Sequence, residues 1–314
     1  MAAAVIDESR TDRTHRKRFR RADASSEAMV ELEERVIEAV RDEITTDIER
    51  REPPLEPVFY AITGSHCYGT SGPDSDLDVR GFHCAEGIRY ALSEPPAEQL
   101  EFVRRMRVDG VGEFDLDLVS FELRKFAALV RAGNFTVVEF VCEGPVVLDW
   151  APGRVAALRS LIRSQSTPAV ARSYLGMARG TYERDVRGDE TRPTVDRFLY
   201  VLRGALGAKH VREHGSVEPR LDRLAETVSS DPDLIGDLVA LKRAHGDVAP
   251  SPDLERRATD AIRRELADLD DERRSTGPEP ELRADVDEWM IATRRETGTL
   301  LGAVGRKSGA DDRR

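Results

Sequence analysis

The stretch that decides the fold runs Gly64-Ser65-His66-Cys67-Tyr68-Gly69-Thr70-Ser71-Gly72-Pro73-Asp74-Ser75-Asp76-Leu77-Asp78-Val79-Arg80-Gly81. It follows Val58-Phe59-Tyr60-Ala61-Ile62, a short apolar run rich in strand formers. A strand that runs into Gly-Ser and then a helix turns free backbone N–H groups outward, where a phosphate can be held. Gly64 permits the turn and close approach of the backbone, and the Ser65 hydroxyl can donate to the same phosphate. Further on, Asp76 and Asp78 alternate with Leu77 and Val79. In an extended strand the two carboxylates share one face, about 7 Å apart. Like charges so placed repel unless a cation neutralises them, and Mg2+ is commonly held by one or two carboxylates plus substrate phosphates.

Phe114-Asp115-Leu116-Asp117-Leu118-Val119 repeats the alternation of acid and apolar residue. Both Asp115 and Asp117 could face the first pair, and a third carboxylate from this strand would complete a two-metal site. Two such cations, about 4 Å apart, would activate an attacking hydroxyl and stabilise departing pyrophosphate. One acid could also act as general base. Taken singly, a Gly-Ser turn is an ordinary helix cap and an Asp-x-Asp is an ordinary solvated strand face. The combination, in this order and with these apolar flanks, carries the functional reading.

Outward from this segment, Leu32, Val36, Val40, Ile44 and Ile48 recur every four residues and predict a helix from Ser26, stopped at Glu52-Pro53-Pro54. Leu77–Phe82 and Phe114–Phe121 are further strands. Residues 86–112, with weak periodicity, read as a short helix and a connecting strand. Helices follow at 121–131, closed by Gly133, and at 135–142. Beyond Pro152 the chain is helical almost throughout, near 154–163, 168–187, 194–214, 219–228, 231–245, 252–272 and 280–297. The fold class is therefore α+β: a small mixed-sheet domain over 26–150 and an all-helical domain over 151–304. Residues 1–25, which carry Arg13, Arg16, Lys17, Arg18, Arg20 and Arg21, read as a disordered basic tail, and 305–314 as a second tail.

The 314 residues carry a formal charge of -11 and 34% charged side chains, which argues against a surface coated for DNA. Five lysines stand against 43 arginines. No apolar run is long enough to span a membrane, and the basic N-terminus lacks the apolar core of a secretory signal. Three cysteines at 67, 84 and 142 match no zinc or CxxC spacing, which predicts a reduced, cytoplasmic protein.

At these residues the chain resembles the polymerase-beta nucleotidyltransferase superfamily, whose signature is Gly-Ser, a spacer, Asp-x-Asp and a later strand carboxylate. It is more narrowly similar to the YcgL/RlaP-type predicted nucleotidyltransferases, the RNA repair pathway polymerase-beta family. The likeness rests on Gly-Ser-His-x-Tyr-Gly at 64–69, Ser-Asp-x-Asp-x-Arg-Gly at 75–81, Asp117, Leu123-Arg124-Lys125-Phe126, Gly133-Asn134 and Glu139. Members often follow Gly-Asn with Pro, where this chain has Phe135. The resemblance covers about 58–148 well and the helical half loosely, where Arg197, Tyr200 and Leu202-Arg203 are the corresponding positions.

The resemblance implies a mixed-sheet nucleotidyltransferase core and a metal-dependent enzyme using Mg2+ or Mn2+. It would move an NMP from an NTP to a hydroxyl acceptor, with an RNA end favoured over a protein side chain or a small molecule. Asp76, Asp78 and Asp117 would be catalytic and metal-binding; Gly64, Ser65, His66, Arg80 and Lys125 would bind nucleotide. For several of these a plainer role competes: His66 and Tyr68 packed at the motif, Arg80 paired with a carboxylate, Lys125 on a solvated helix face. Asn134 and Glu139 are expected to hold a helix turn, His210 and His214 to lie on a helix surface, and Trp150 and Trp289 to pack at domain contacts. The alternatives are a non-catalytic nucleotide-binding or antitoxin-like partner-binding module, and an RNA-binding protein that uses its Arg-rich tail.

Overall fold

A computed structural model describes residues 26–53, 55–72, 75–165, 167–188, 192–269 and 280–300. Both expected tails, 1–25 and 305–314, lie outside these residues. The chain opens with helix α1 (Ser26–Glu49) and strand β1 (Glu56–Ile62), then the short helix α2 (Gly64–Tyr68) and strand β2 (Leu77–Cys84). Strands β3 (Gln99–Val108) and β4 (Gly112–Glu122) follow, then helices α3 (Leu123–Arg131) and α4 (Phe135–Cys142) and strand β5 (Val146–Asp149). The rest is helical: α5 (Pro152–Gln165), α6 (Thr167–Thr181), α7 (Val195–His214), α8 (Leu221–Val228), α9 (Pro232–His245), α10 (Pro252–Asp268) and α11 (Pro280–Glu296). This is the α+β class, and the helices fall close to where apolar periodicity put them.

The sheet order is β3-β4-β2-β1-β5. From β2 the chain passes a 3-10 turn at Gly87–Ala91 to the edge strand β3, then reverses through 109–111. Strand β4 therefore slots between β3 and β2, antiparallel to the first and parallel to the second. Strand β1 is covered on both sides and its residues from Pro57 to Ala61 are buried, which is why it reads as an unbroken apolar run rather than an alternation. One face of the sheet packs Leu77, Val79, Leu116 and Leu118 against Val40, Ile44 and Ile48 of α1. The opposite face sends Phe59 and Phe82 onto Phe126, Phe140 and Trp289, continuous with the core of the helical half.

Three details differ from expectation. Strand β5 adds a short edge, Val146–Asp149, that four residues of sequence are too few to announce. The helix expected over 168–187 ends at Thr181 and finishes in one wider π turn, Tyr182–Val186. Trp289 is a packing residue as expected, 6% exposed with Nε1 donating to the Arg154 carbonyl, but Trp150 is 62% exposed. Trp150 follows edge strand β5, so its backbone N–H is used, by the Val58 carbonyl, while the indole lies at the sheet's margin.

Candidate active site

Parallel pairing of β2 with β4 sets Asp78 opposite Asp117, residue for residue. Both side chains lie on the sheet face that carries Phe82, and both are partly accessible. Arg80, two residues on along the same face, reaches both carboxylates: Nη2 stands 3.3 Å from Asp78 Oδ1, and Nη1 3.4 Å from Asp117 Oδ1. Nη1 also donates to the Asp117 carbonyl at 3.0 Å. The guanidinium thus holds a positive charge between two acids that register alone would leave facing each other.

The carboxyl of Asp78 is pushed above the usual carboxylate range. Burial is the main cause; Arg80 opposes it, while Asp117 and Asp76 add to it and Lys242 opposes. Asp76 is exposed, just ahead of β2, and near enough to be felt electrostatically at Asp78. Among the described residues no three of His, Cys, Asp and Glu form a ready-made metal cluster. The centre of the site is an Asp78–Asp117 pair bridged by Arg80, with Asp76 at its rim. Asp115 turns toward β3 and pairs with Arg105 at 3.5 Å.

The Gly-Ser turn lies directly against this pair. Gly64 has φ +62°, and a Cβ added there would fall 1.9 Å from Asp78 Oδ2. Any side chain at 64 would collide with the carboxylate, so glycine is required by space as well as by backbone angle. The Thr63 N–H donates to the Asp78 carbonyl at 2.9 Å, fixing the start of the turn to β2. Helix α2 closes at Gly69, φ +72°. Ser65 is half-buried and His66 exposed, whereas Cys67 is buried and burial pushes its thiol up to about 12; this cysteine fills space. Gly81 lets β2 pass the Tyr60 ring, which a Cβ would meet at 2.2 Å.

Other expected residues stand elsewhere. Lys125 lies in the first turn of α3, past the far end of β4 and eight residues beyond Asp117, and pairs with Glu98 at 3.0 Å. Asn134 caps α4 by accepting the Val137 N–H at 3.1 Å. Glu139 does more than hold a turn: it is buried and bonded to Arg203 of α7 and Tyr174 of α6. His210 and His214 are in ring contact, with no third ligand among the described residues.

The helical half supplies neighbours that reading the sequence missed. Arg243 Nη2 donates to the Gly69 carbonyl at 2.9 Å. The Lys242 carbonyl lies against Gly72, and the Arg220 guanidinium against Gly69. These cations border the loop between the Gly-Ser turn and Asp76. More than 170 residues separate Gly69 from Arg243, and the only signal in the sequence is that Lys242 is one of five lysines.

A donor set made only of carboxylate oxygens, with excess negative charge and a guanidinium drawn into it, suits a hard divalent cation such as Mg2+ or Mn2+. A glycine-lined turn abutting it suits the phosphates that accompany such an ion. A family model described as the RNA repair pathway DNA polymerase beta family, RlaP, matches residues 36–292. Among solved structures the chain is similar to a nucleotidyltransferase-like protein from Exiguobacterium sibiricum 255-15. The identity is 13%, covering 83% of this chain and 80% of that one, with a TM-score of 0.28. No curated protein matches the chain.

Proposed function

The chain belongs to the RNA repair pathway DNA polymerase beta family and is a nucleotidyltransferase of the polymerase-beta superfamily; from that premise we propose that it moves an NMP from an NTP to a hydroxyl at an RNA end, releasing pyrophosphate. The observation that carries the reading is the Asp78–Asp117 pair in register, with Gly64 flush against Asp78. Asp76, Asp78 and Asp117 are the residues that would hold Mg2+ or Mn2+. When bound, the ion would neutralise the phosphates and lower the pKa of the attacking hydroxyl.

The rest falls to the chain's own groups. The backbone at Gly64-Ser65 and the Ser65 hydroxyl orient the phosphates, and His66 is exposed at the same turn. Asp117 takes the proton of the acceptor hydroxyl. The hydroxyl oxygen forms a bond to the α-phosphorus, the bond from that phosphorus to the bridging oxygen breaks, and pyrophosphate leaves with the electron pair. With a cation held by the carboxylates, Arg80, which stands 3.3 Å from Asp78 and 3.4 Å from Asp117, would be free to pair with the phosphates instead. Lys242 and Arg243, at the loop's outer side, add positive charge from the helical half.

No helix of the described residues is long and apolar enough to cross a membrane. The three cysteines are free, as a reducing cytoplasm would leave them.

The test offers α-labelled NTPs and Mg2+ or Mn2+ with RNA bearing free hydroxyl ends, or with protein acceptors. Label on RNA supports the proposal. Label on protein alone overturns the RNA acceptor. Label on neither, together with tight retention of a partner protein, favours a non-catalytic binding module.

A further inference from the structure

Helix α2 is clamped at both ends. Its first residue, Gly64, rests on Asp78; its last, Tyr68, rests on Arg203 of the helical half. The Arg203 guanidinium carbon stands 3.7 Å from the centre of the Tyr68 ring, within the range of a cation–π contact. Five helical residues span only about 7 Å, so a shift at Tyr68 is transmitted to the Gly64-Ser65 turn.

Arg203 is an expensive residue to keep there. It is 2% exposed, in the middle of α7, and bonded through Nη1 to Glu139 of α4 at 2.5 Å. Tyr174 of α6 donates to the same Glu139 oxygen. The rings of Phe135 and Tyr200 lie 5.5 and 5.7 Å from the guanidinium. Burial would lower the arginine's pKa, but Glu139 together with Tyr68, Tyr174 and Tyr200 outweighs it and the guanidinium stays charged. Arg203 Nε and Nη2 have no hydrogen-bond partner in the protein. Replacing a buried ion pair by packed apolar side chains is often neutral or stabilising, so stability alone does not account for a charged group so incompletely satisfied. Four helices, α2, α4, α6 and α7, meet at this one group.

Resting on the nucleotidyl-transfer reading, we propose that Arg203 is a positioning residue. Through the Tyr68 ring it fixes the Gly64-Ser65 turn against Asp78, and so ties nucleotide affinity to the seating of the helical half. The contact uses the ring face, so Tyr68→Phe keeps it while giving up the hydroxyl's interaction with Glu139, Tyr68→Leu removes it, and Arg203→Lys retains charge but loses the planar stack.

The experiment measures amide exchange at 64–70 and NTP binding for the full chain and these variants. Tyr68 is only half-buried, so Tyr68→Leu is expected to fold even if Arg203 variants do not. The expected result is faster exchange at 64–70 in Tyr68→Leu and Arg203→Lys. The KM for NTP should rise about tenfold with a smaller change in kcat, the scale of losing a desolvated cation–π contact. Tyr68→Phe, which keeps the ring over Arg203, should stay close to the parent and well short of Tyr68→Leu in both readouts. Unchanged exchange in Tyr68→Leu overturns the proposal, as does faster exchange with unchanged KM. If the parent binds no NTP while exchange responds as stated, the joint stands and the nucleotidyl-transfer reading falls.

Discussion

Asp78 and Asp117 are partners in the parallel β2–β4 ladder, and the guanidinium of Arg80 touches both. Removing Arg80 exposes what it does. Its charge holds the Asp78 carboxyl down against burial, so Arg80→Met should raise that carboxyl further. The acid limb of the kcat/KM profile should then move to higher pH, because the ionised form is the one that binds cations. A pH–rate profile of parent and variant checks this.

Asp78 opposes function to stability. Its folded-state pKa is raised, so the folded chain binds the proton more tightly than the unfolded chain. Stability is therefore lost as pH rises through that pKa. Asp78→Asn cannot ionise. Without divalent cations it should be more stable than the parent, by a margin that opens near the unfolded carboxyl value of about 4 and grows as pH rises until the folded carboxyl ionises, while losing transfer. Denaturant melts across that range check the sign.

Gly64→Ala should fold with a displaced turn or lose stability by about 1–2 kcal/mol, the cost of a left-handed non-glycine residue. The added methyl would overlap the Asp78 carboxylate, so transfer should fall much further than stability. Urea unfolding and NTP turnover, measured on one preparation, separate the two effects.

His83 is buried, with Nδ1 2.7 Å from Ser120 Oγ. Burial, aided by Arg51 and Arg294, lowers its pKa from 6.5 to about 4. The stability this gives is complete above the unfolded value near 6.5 and is lost as pH falls toward 4. A shift of this size corresponds to at most about 3 kcal/mol. His83→Gln should show that much less loss across the same window, read from urea melts.

Arg294 of α11 joins Glu122 at 2.7 Å and the Ala85 carbonyl, both buried. Arg294→Met takes the cation from buried Glu122, which keeps the Arg124 N–H, and costs about 3–5 kcal/mol. The double variant with Glu122→Gln should recover part of that loss in thermal melts.

Much of this was legible in the sequence, because it rests on local patterns. Gly64, Asp76 and Asp78 lie within fifteen residues, and apolar periodicity marks α1, the strands and the helical half. The parallel register that brings Asp117 to Asp78 depends on β4 slotting between β3 and β2, which no local pattern encodes. Glu139 read as a turn residue because its partner, Arg203, is 64 positions away. Lys125 drew notice as a rare lysine after the third acid, yet β4 carries it to the far end of the sheet. Lys242, equally rare, lies beside the site through tertiary packing alone.

The most direct measurement is NMP transfer from α-labelled NTP with Mg2+ by the parent, Asp78→Asn and Asp117→Asn. The account predicts transfer by the parent and its loss in both variants, each still folded. Transfer by Asp117→Asn at the parent's rate would contradict it, since the ladder that pairs the two acids would then have no part in the chemistry.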